Sequence, residues 1–448
     1  MMKSSISLFT ITLLIVAGIP APIRAQGSRF DSMTLEQARR LALERNLGIK
    51  SSEADLEGAR AEMEGRYAGF FPKLSAEGRY SLIGEVPRIE IGAGAFSPAP
   101  PLPPSDTLVR TGERANYTLR LSLEQPLFTG GAIYYAYRSA RLGYASADLL
   151  HRQTVQDLLL RVELAYWDIL KTEGLRDVAG LQVSDLKEHL RSVKATYDAG
   201  SVPYNEVLKT AVSLAEAEQH FLSARNTADL ARMAMNNLLR QDLTSAFRPG
   251  APSESGPFDL LSYEEASKTA AARRIDLQRA HTQVETMQAR KDLARSGYYP
   301  SISAAASYER ARETAVVLPE NWEVMGVLRW TFWDWGRTGS EVSQAESRVR
   351  RSEQDLQALT EAVALELREH HLRAQEAREK IAVTRGAVEQ ARENFRITEE
   401  RFKAGMTTNT EVLDAESLLA SARANQTNAI YDFFSARARL NRAMGIMH

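Results

Sequence analysis

A mainly helical chain, built of two tandem repeats that each carry a pair of β-strands suited to a membrane, is the fold class this sequence predicts. Three observations carry it. Two halves of the chain align in constant register. The hydrophobic period switches from 3.6 to 2 and back within each half. Proline-free helical runs of nearly seventy residues follow each β segment.

The register is visible in paired motifs. Thr34-Leu35-Glu36-Gln37-Ala38 aligns with Ser262-Tyr263-Glu264-Glu265-Ala266 at an offset of 228 (35 to 263), and Gly69-Phe70-Phe71-Pro72 aligns with Gly297-Tyr298-Tyr299-Pro300 at the same offset. Tyr197-Asp198-Ala199-Gly200 then matches Phe402-Lys403-Ala404-Gly405 at an offset of 205, and Glu206-Val207-Leu208 falls on Glu411-Val412-Leu413. The first half therefore carries 23 more residues (228 − 205) between Pro72 and Gly131.

The chain of 448 residues opens with Lys3, an apolar stretch from Ile6 to Ile19, and Ile23-Arg24-Ala25 before Gln26. That pattern reads as a secretory signal peptide over residues 1–25. The first repeat spans 26–247, a Pro/Gly/Ser-rich linker 248–260, and the second repeat 261–448.

Helix-formers dominate 35–66 and 263–295, so each repeat begins with a helix. Strict alternation then starts after Pro72 and Pro300. Leu74, Ala76, Gly78, Tyr80 and Leu82 oppose Lys73, Ser75, Glu77, Arg79 and Ser81, which predicts a strand over about 73–83. Tyr117, Leu119, Leu121 and Leu123 oppose Thr118, Arg120, Ser122 and Glu124 in a second strand, about 116–125. The second repeat repeats the pair over about 301–310 and 322–332, the last being noisier because Met325 and Val327 sit on its polar side. The extra residues crowd five prolines between Gly92 and Pro104, which predicts an irregular exposed loop that joins no ladder.

After Gly131 and Gly336 the helical period returns, giving long helices over about 132–199 and 337–404. Val155, Leu158, Val162, Ala165 and Ile169 are spaced as a coiled-coil seam. Gly200 and Gly405 mark the reversals, and returning helices follow over about 205–241 and 410–444.

Two solvents could meet the apolar strand faces. A soluble sandwich would bury them against another sheet. A membrane barrel would show them to lipid, and the clustering of Trp322, Trp330, Trp333 and Trp335 in and after the last strand suits a membrane–water interface. Four strands cannot close a barrel alone, because an open edge in lipid leaves unpaired N–H and C=O groups at several kcal/mol each. Membrane strands here would require several protomers to share one barrel.

The ordered set of motifs resembles the TolC-like outer-membrane efflux protein family over essentially the whole mature chain. The carriers are Gly69-Phe70-Phe71-Pro72 and Gly297-Tyr298-Tyr299-Pro300 before a strand, and Gln125-Pro126-Leu127-Phe128-Thr129-Gly130-Gly131 and Trp333-Asp334-Trp335-Gly336 after one. The run from Phe402 to Asp414 and the closing Arg439-Leu440-Asn441-Arg442-Ala443-Met444-Gly445 complete it. The resemblance implies a homotrimer with a 12-stranded outer-membrane β-barrel, continued by a periplasmic α-helical barrel. It implies a passive exit duct for efflux or type I secretion, docked at its helical tip by a periplasmic adaptor (membrane fusion) protein and an inner-membrane transporter of RND, ABC or MFS type. It further implies a pore entrance at Glu411 and Asp414, with Glu206 in the matching place of the first repeat and Phe402 before the turn. Two positions depart from that pattern: Lys209 stands where Asp414 would recur, and Thr407 stands where relatives often carry a latching arginine. A soluble periplasmic coiled-coil adaptor or scaffold is the competing class.

Other chemistry is thin. Lys plus Arg is 56 against 57 Asp plus Glu, which gives no support to nucleic-acid binding. The absence of cysteine removes thiolate metal sites, cysteine nucleophiles and a lipid-anchored cysteine. His370 and His371 point about 100° apart on a helix and read as a solvated pair. Gly92-Ala93-Gly94 lacks the third glycine of a dinucleotide turn, and no serine elbow or phosphate loop occurs. No enzyme activity and no cofactor are expected.

Overall fold

The computed structural model describes residues 32–86, 88–98, 101–110, 114–250, 260–312 and 320–447. The expected signal peptide and most of the expected linker lie outside these residues. Each half carries helices of the same lengths in the same order. In the first, α1 (Leu35–Arg45, 11 residues) and α2 (Leu47–Tyr67, 21) lead through a 3₁₀ turn to β1 (Lys73–Leu82). In the second, α5 (Tyr263–Arg273, 11 residues) and α6 (Ile275–Arg295, 21) lead likewise to β7 (Ser301–Arg312). The longest helices, α3 (Ala132–Asp198) and α7 (Arg337–Lys403), have 67 residues each, and α4 (Tyr204–Leu238) and α8 (Asn409–Ala443) have 35 each. At about 1.5 Å per residue, α3 and α7 are each about 100 Å long.

The opening helix of each repeat is split in two. At Asn46 the backbone leaves the helical region (ψ 128°), and the side-chain oxygen accepts from Gly48 and Ile49 N–H, so it caps α2. The matching break at Arg274 has no side-chain cap. There the buried guanidinium reaches Asp276 at 2.6 Å and Glu366 at 2.7 Å instead. Helix propensity is blind to such caps, which is why the sequence reads as one helix.

β1, β6 (Ala115–Phe128), β7 and β8 (Glu320–Arg329) form one antiparallel sheet in the order β1-β6-β7-β8. The register aligns Ala76, Leu121, Tyr308 and Trp322 in one row and Glu77, Arg120, Glu309 and Asn321 in the next. All four strands therefore share one apolar and one polar face. Among the described residues nothing covers the apolar face: Leu74, Leu82 and Trp322 are each 73% exposed. That observation removes the soluble sandwich, which would hide these side chains. On the polar face Arg120 pairs with Glu309 through its Nε at 2.7 Å.

The proline-rich insertion is more ordered than its composition suggests. β2 (Arg88–Ile91) pairs with β5 (Thr107–Arg110), and the two-residue strands β3 (Ser97–Pro98) and β4 (Pro101–Leu102) pair beyond them. Proline cannot donate to a ladder, but its carbonyl still accepts, as Pro103 does from Gly94 N–H at 2.9 Å. The expected irregular loop is a β-ribbon.

Upper helices α2, α3, α6 and α7 pack in that order, and the lower set runs α4, α3, α8, α7. The main core sits where α1 and α5 wrap the long helices. Ala38 and Ala42 meet Leu158, Val162 and Tyr166 there, and Trp167 stacks on Phe434 at 4.5 Å. Arg248-Pro249-Gly250, the start of the expected linker, bridges to Met33, and Tyr166 donates to the Gly250 carbonyl at 2.7 Å. α3 runs unbroken through Gly174, where an added Cβ would meet Thr427 of α8 at 2.7 Å. His371 is also more engaged than a solvated pair: it reaches the Leu261 carbonyl at 3.0 Å and lies edge-on to Tyr263, while His370 is half-buried.

Candidate functional site

The two helical reversals bring the entrance candidates to one end of the molecule. Gly200 and Gly405 take φ of +75° and +70°, a conformation side-chain-bearing residues rarely adopt. The N–H groups that follow close the helix ends, Ser201 to Thr196 O at 3.0 Å and Met406 to Arg401 O at 2.8 Å. The first turns of α4 and α8 then carry Glu206 and Glu411.

These equivalent carboxylates have different fates. Glu411 and Asp414 are exposed and lie three residues apart on one side of α8. Glu411 accepts from the Thr407 hydroxyl, and its N–H is capped by Thr408 at 3.4 Å. Glu206 is turned inward instead. It pairs with Lys209 at 2.9 Å and accepts from the Asn409 amide at 3.1 Å, and these bonds, Lys209 first, hold its carboxyl below the usual range. Phe402 is only 6% exposed and packs on Val193, Val207 and Val412. It anchors the tip core and is not placed to line a pore, so the entrance role expected of it is corrected.

Sequence reasoning missed the buried polar residues of this tip. Asn409 is 3% exposed and sits against His189 Nε2 at 2.6 Å, Thr210 at 3.0 Å and Glu206. It joins α8 of the second repeat to α3 and α4 of the first. Burial pushes the His189 imidazole below its ordinary value, the Asn409 bond opposing. About two helical turns further along α8, Glu416 is 4% exposed, bonded to Gln182 at 3.1 Å, and burial pushes its carboxyl up to about 7. Its place on the Val412, Ala415, Leu419 stripe was the signal available, because a carboxylate on a buried stripe needs partners.

At the other end, the aromatic residues gather where strands meet helices. Tyr67, Phe70, Phe71 and Tyr137 have ring centroids 5.3–6.0 Å apart. Trp330, Trp333 and Trp335 follow β8 and are exposed, with Trp333 and Trp335 5.7 Å apart. β8 ends at Arg329, so these three tryptophans flank the strand. Trp322 lies near its opposite end, so Trp322 and Trp330 stand about 26 Å apart along the chain at about 3.3 Å per residue. Two aromatic levels bracketing an apolar sheet face match the girdles of a membrane barrel.

Residues 38–239 and 266–446 each match the same family model, that of the outer membrane efflux protein. The chain belongs to the outer membrane efflux protein family. This outer membrane efflux protein is 27% identical over 353 residues to the alkaline protease secretion protein AprF of Pseudomonas aeruginosa, covering 74% of this chain and 70% of that one. It is 23% identical over 315 residues to the outer membrane protein TolC of Vibrio cholerae, covering 67% and 70%. The solved structure of CusC superposes with a TM-score of 0.80 at 17% identity over 92% of each chain, which shows a shared fold. The double match of one family model is the internal repeat seen in the sequence. An outer membrane efflux protein resides in the outer membrane and belongs among channels rather than enzymes, and the soluble adaptor reading is set aside. No helix among the described residues is long and apolar enough to cross a membrane.

Proposed function

We propose that three copies of this chain form one continuous exit duct through the outer membrane and into the periplasm. The observation that carries this reading is the open four-stranded sheet with an uncovered apolar face. β1 and β8 are its two edges, one from each repeat, and each would leave its N–H and C=O groups unpaired in lipid. Joining β1 of one copy to β8 of the next satisfies both edges and gives twelve strands in three copies. The helical layers support the same closure, since α2 and α7 are the edges above and α4 and α7 the edges below.

The duct is passive. A periplasmic adaptor and an inner-membrane transporter dock at the helical tip and deliver cargo, as the secretion role in the name of AprF and the wider family suggest. Glu411 and Asp414 from three copies ring the entrance with carboxylates that favour cations. Light scattering of the detergent-solubilised protein, corrected for detergent, should read three chains, and a monomer would overturn the reading.

A further inference from the structure

A groove of about 600 Å³ lies between the upper helices and is lined from four of them in succession: Arg66 of α2, Ser139 and Gly143 of α3, Arg290 of α6 and Arg348 of α7. A groove lined from four neighbouring helices lies on a single face of their layer. Helical geometry identifies that face. Arg368 of α7 lies over the Tyr263 ring of α5 at 4.8 Å, and Arg348, twenty residues earlier, projects roughly 200° away from it at about 100° per residue. On α3, Ser139 lies roughly 180° round from Tyr166, which packs toward Met33 and Phe247. The groove therefore opens on the side away from α1 and α5, which is the interior once the ring closes.

Its lining carries three arginines, Arg66, Arg290 and Arg348, against one carboxylate, Glu62. Among the described residues Arg290 makes one polar contact, from Nε to Ser139 Oγ at 3.4 Å. Among the described residues Arg348 has no acidic partner within 4.0 Å, and Arg66 has only Glu62 of its own helix at 3.8 Å. Nearby Arg295, in contrast, is neutralised by Glu346 at 3.0 Å. The α3 lining between the arginines is made of small residues, Ser139 and Gly143 among them, which leaves the groove open to a ligand. Guanidinium forks bind oxyanions in bidentate fashion, and three from different helices converge here.

We propose that Arg66, Arg290 and Arg348 form an oxyanion-binding belt inside the duct, just below the membrane, that holds phosphate or carboxylate groups in transit. This rests on the trimeric duct reading. The oxyanion is either a free inorganic ion or an acidic group on the cargo itself.

The test is conductance of the wild-type trimer in planar bilayers, with probes added from the barrel side. Inorganic tripolyphosphate stands for the free ion and hexaglutamate for acidic cargo. Concentration-dependent block by either supports the belt, and which probe blocks identifies the source. Arg66→Gln/Arg290→Gln/Arg348→Gln should raise the half-blocking concentration at least tenfold, and the matching triple Lys variant should retain block. Arg348→Gln alone, a change on an exposed helix face, should give an intermediate value should the triple variant fail to assemble. Equal block in wild type and the Gln variants, or no block by either probe, overturns the belt while leaving the duct reading intact. A trimer that does not conduct at all overturns the duct reading.

Discussion

The side-chain amide of Asn409, at the start of α8, donates to the Glu206 carboxylate at the start of α4 across 3.1 Å, tying the second repeat's hairpin to the first's. The same side chain meets His189 and Thr210, so one buried residue links three helices. Thr407 holds the position expected of a latching arginine, and Asn409 two residues on supplies a link between the hairpins.

Replacing Asn409 by leucine would leave His189 Nε2 without its partner in a buried seam, while the Thr210 hydroxyl would keep only its bond to the Glu206 carbonyl at 2.9 Å. The expected loss is about 1–3 kcal/mol of stability at the tip. Bilayer recordings should show longer and more frequent openings than wild type. Unchanged gating with unchanged thermal stability would mean that the link holds nothing shut.

Glu416 gives a pH dependence. Its folded carboxyl sits at about 7, above the ordinary value of 4.5, so the folded tip binds a proton that the unfolded chain releases between those values. Its neutral form is therefore favoured by folding below pH 4.5, and stability falls as pH rises through 4.5 to 7. Glu416→Gln should match wild type near pH 4.5 and exceed it in melting temperature above pH 7. His189, held low by burial, acts in the opposite direction as pH falls below 6.5, so the difference between variant and wild type isolates the carboxyl. A difference that does not grow with pH would refute the assignment.

Adjacent residues of β6 should behave oppositely. Leu121 lies between Ala76 and Tyr308 on the apolar face, whereas Ser122 lies between Ser75 and Ser307 on the polar one. Leu121→Arg should impair trimer assembly, since an arginine facing mid-bilayer lipid costs about 2–4 kcal/mol. Ser122→Arg should assemble normally. Gel-shift assays of heat-resistant trimer would separate them, and equal defects would mean that the barrel is wrong.

Glu411 and Asp414 are exposed on one side of α8, free of any ion pair among the described residues. Multivalent cations should lodge between such carboxylates and block the pore, because bridging relieves their mutual repulsion. Glu411→Ala/Asp414→Ala should lower cation selectivity and weaken the block without altering assembly. Glu206→Ala should instead weaken tip stability, because Glu206 is bonded to Lys209 and Asn409.

The sequence by itself determined the repeat, the switch of period, the two strand faces and the glycine reversals, because each depends on neighbours within a few residues along the chain. Strand alternation placed Leu121 and Ser122 on opposite faces, and no partner strand was needed to see it. Only the tertiary structure decided which of two equivalent carboxylates is free. Glu206 and Glu411 occupy the same place in the repeat, yet Glu206 is held by Asn409, 203 residues away, and Glu411 is not. Phe402 turned inward for the same kind of reason, since its neighbours Val193 and Val207 come from the other repeat. The breaks at Asn46 and Arg274, the ribbon built from a proline-rich insertion and the convergence of Arg66, Arg290 and Arg348 likewise depend on backbone geometry and on packing between distant helices. Local periodicity sets what each segment becomes, whereas burial and charge balance are fixed only when segments far apart in the chain are brought together.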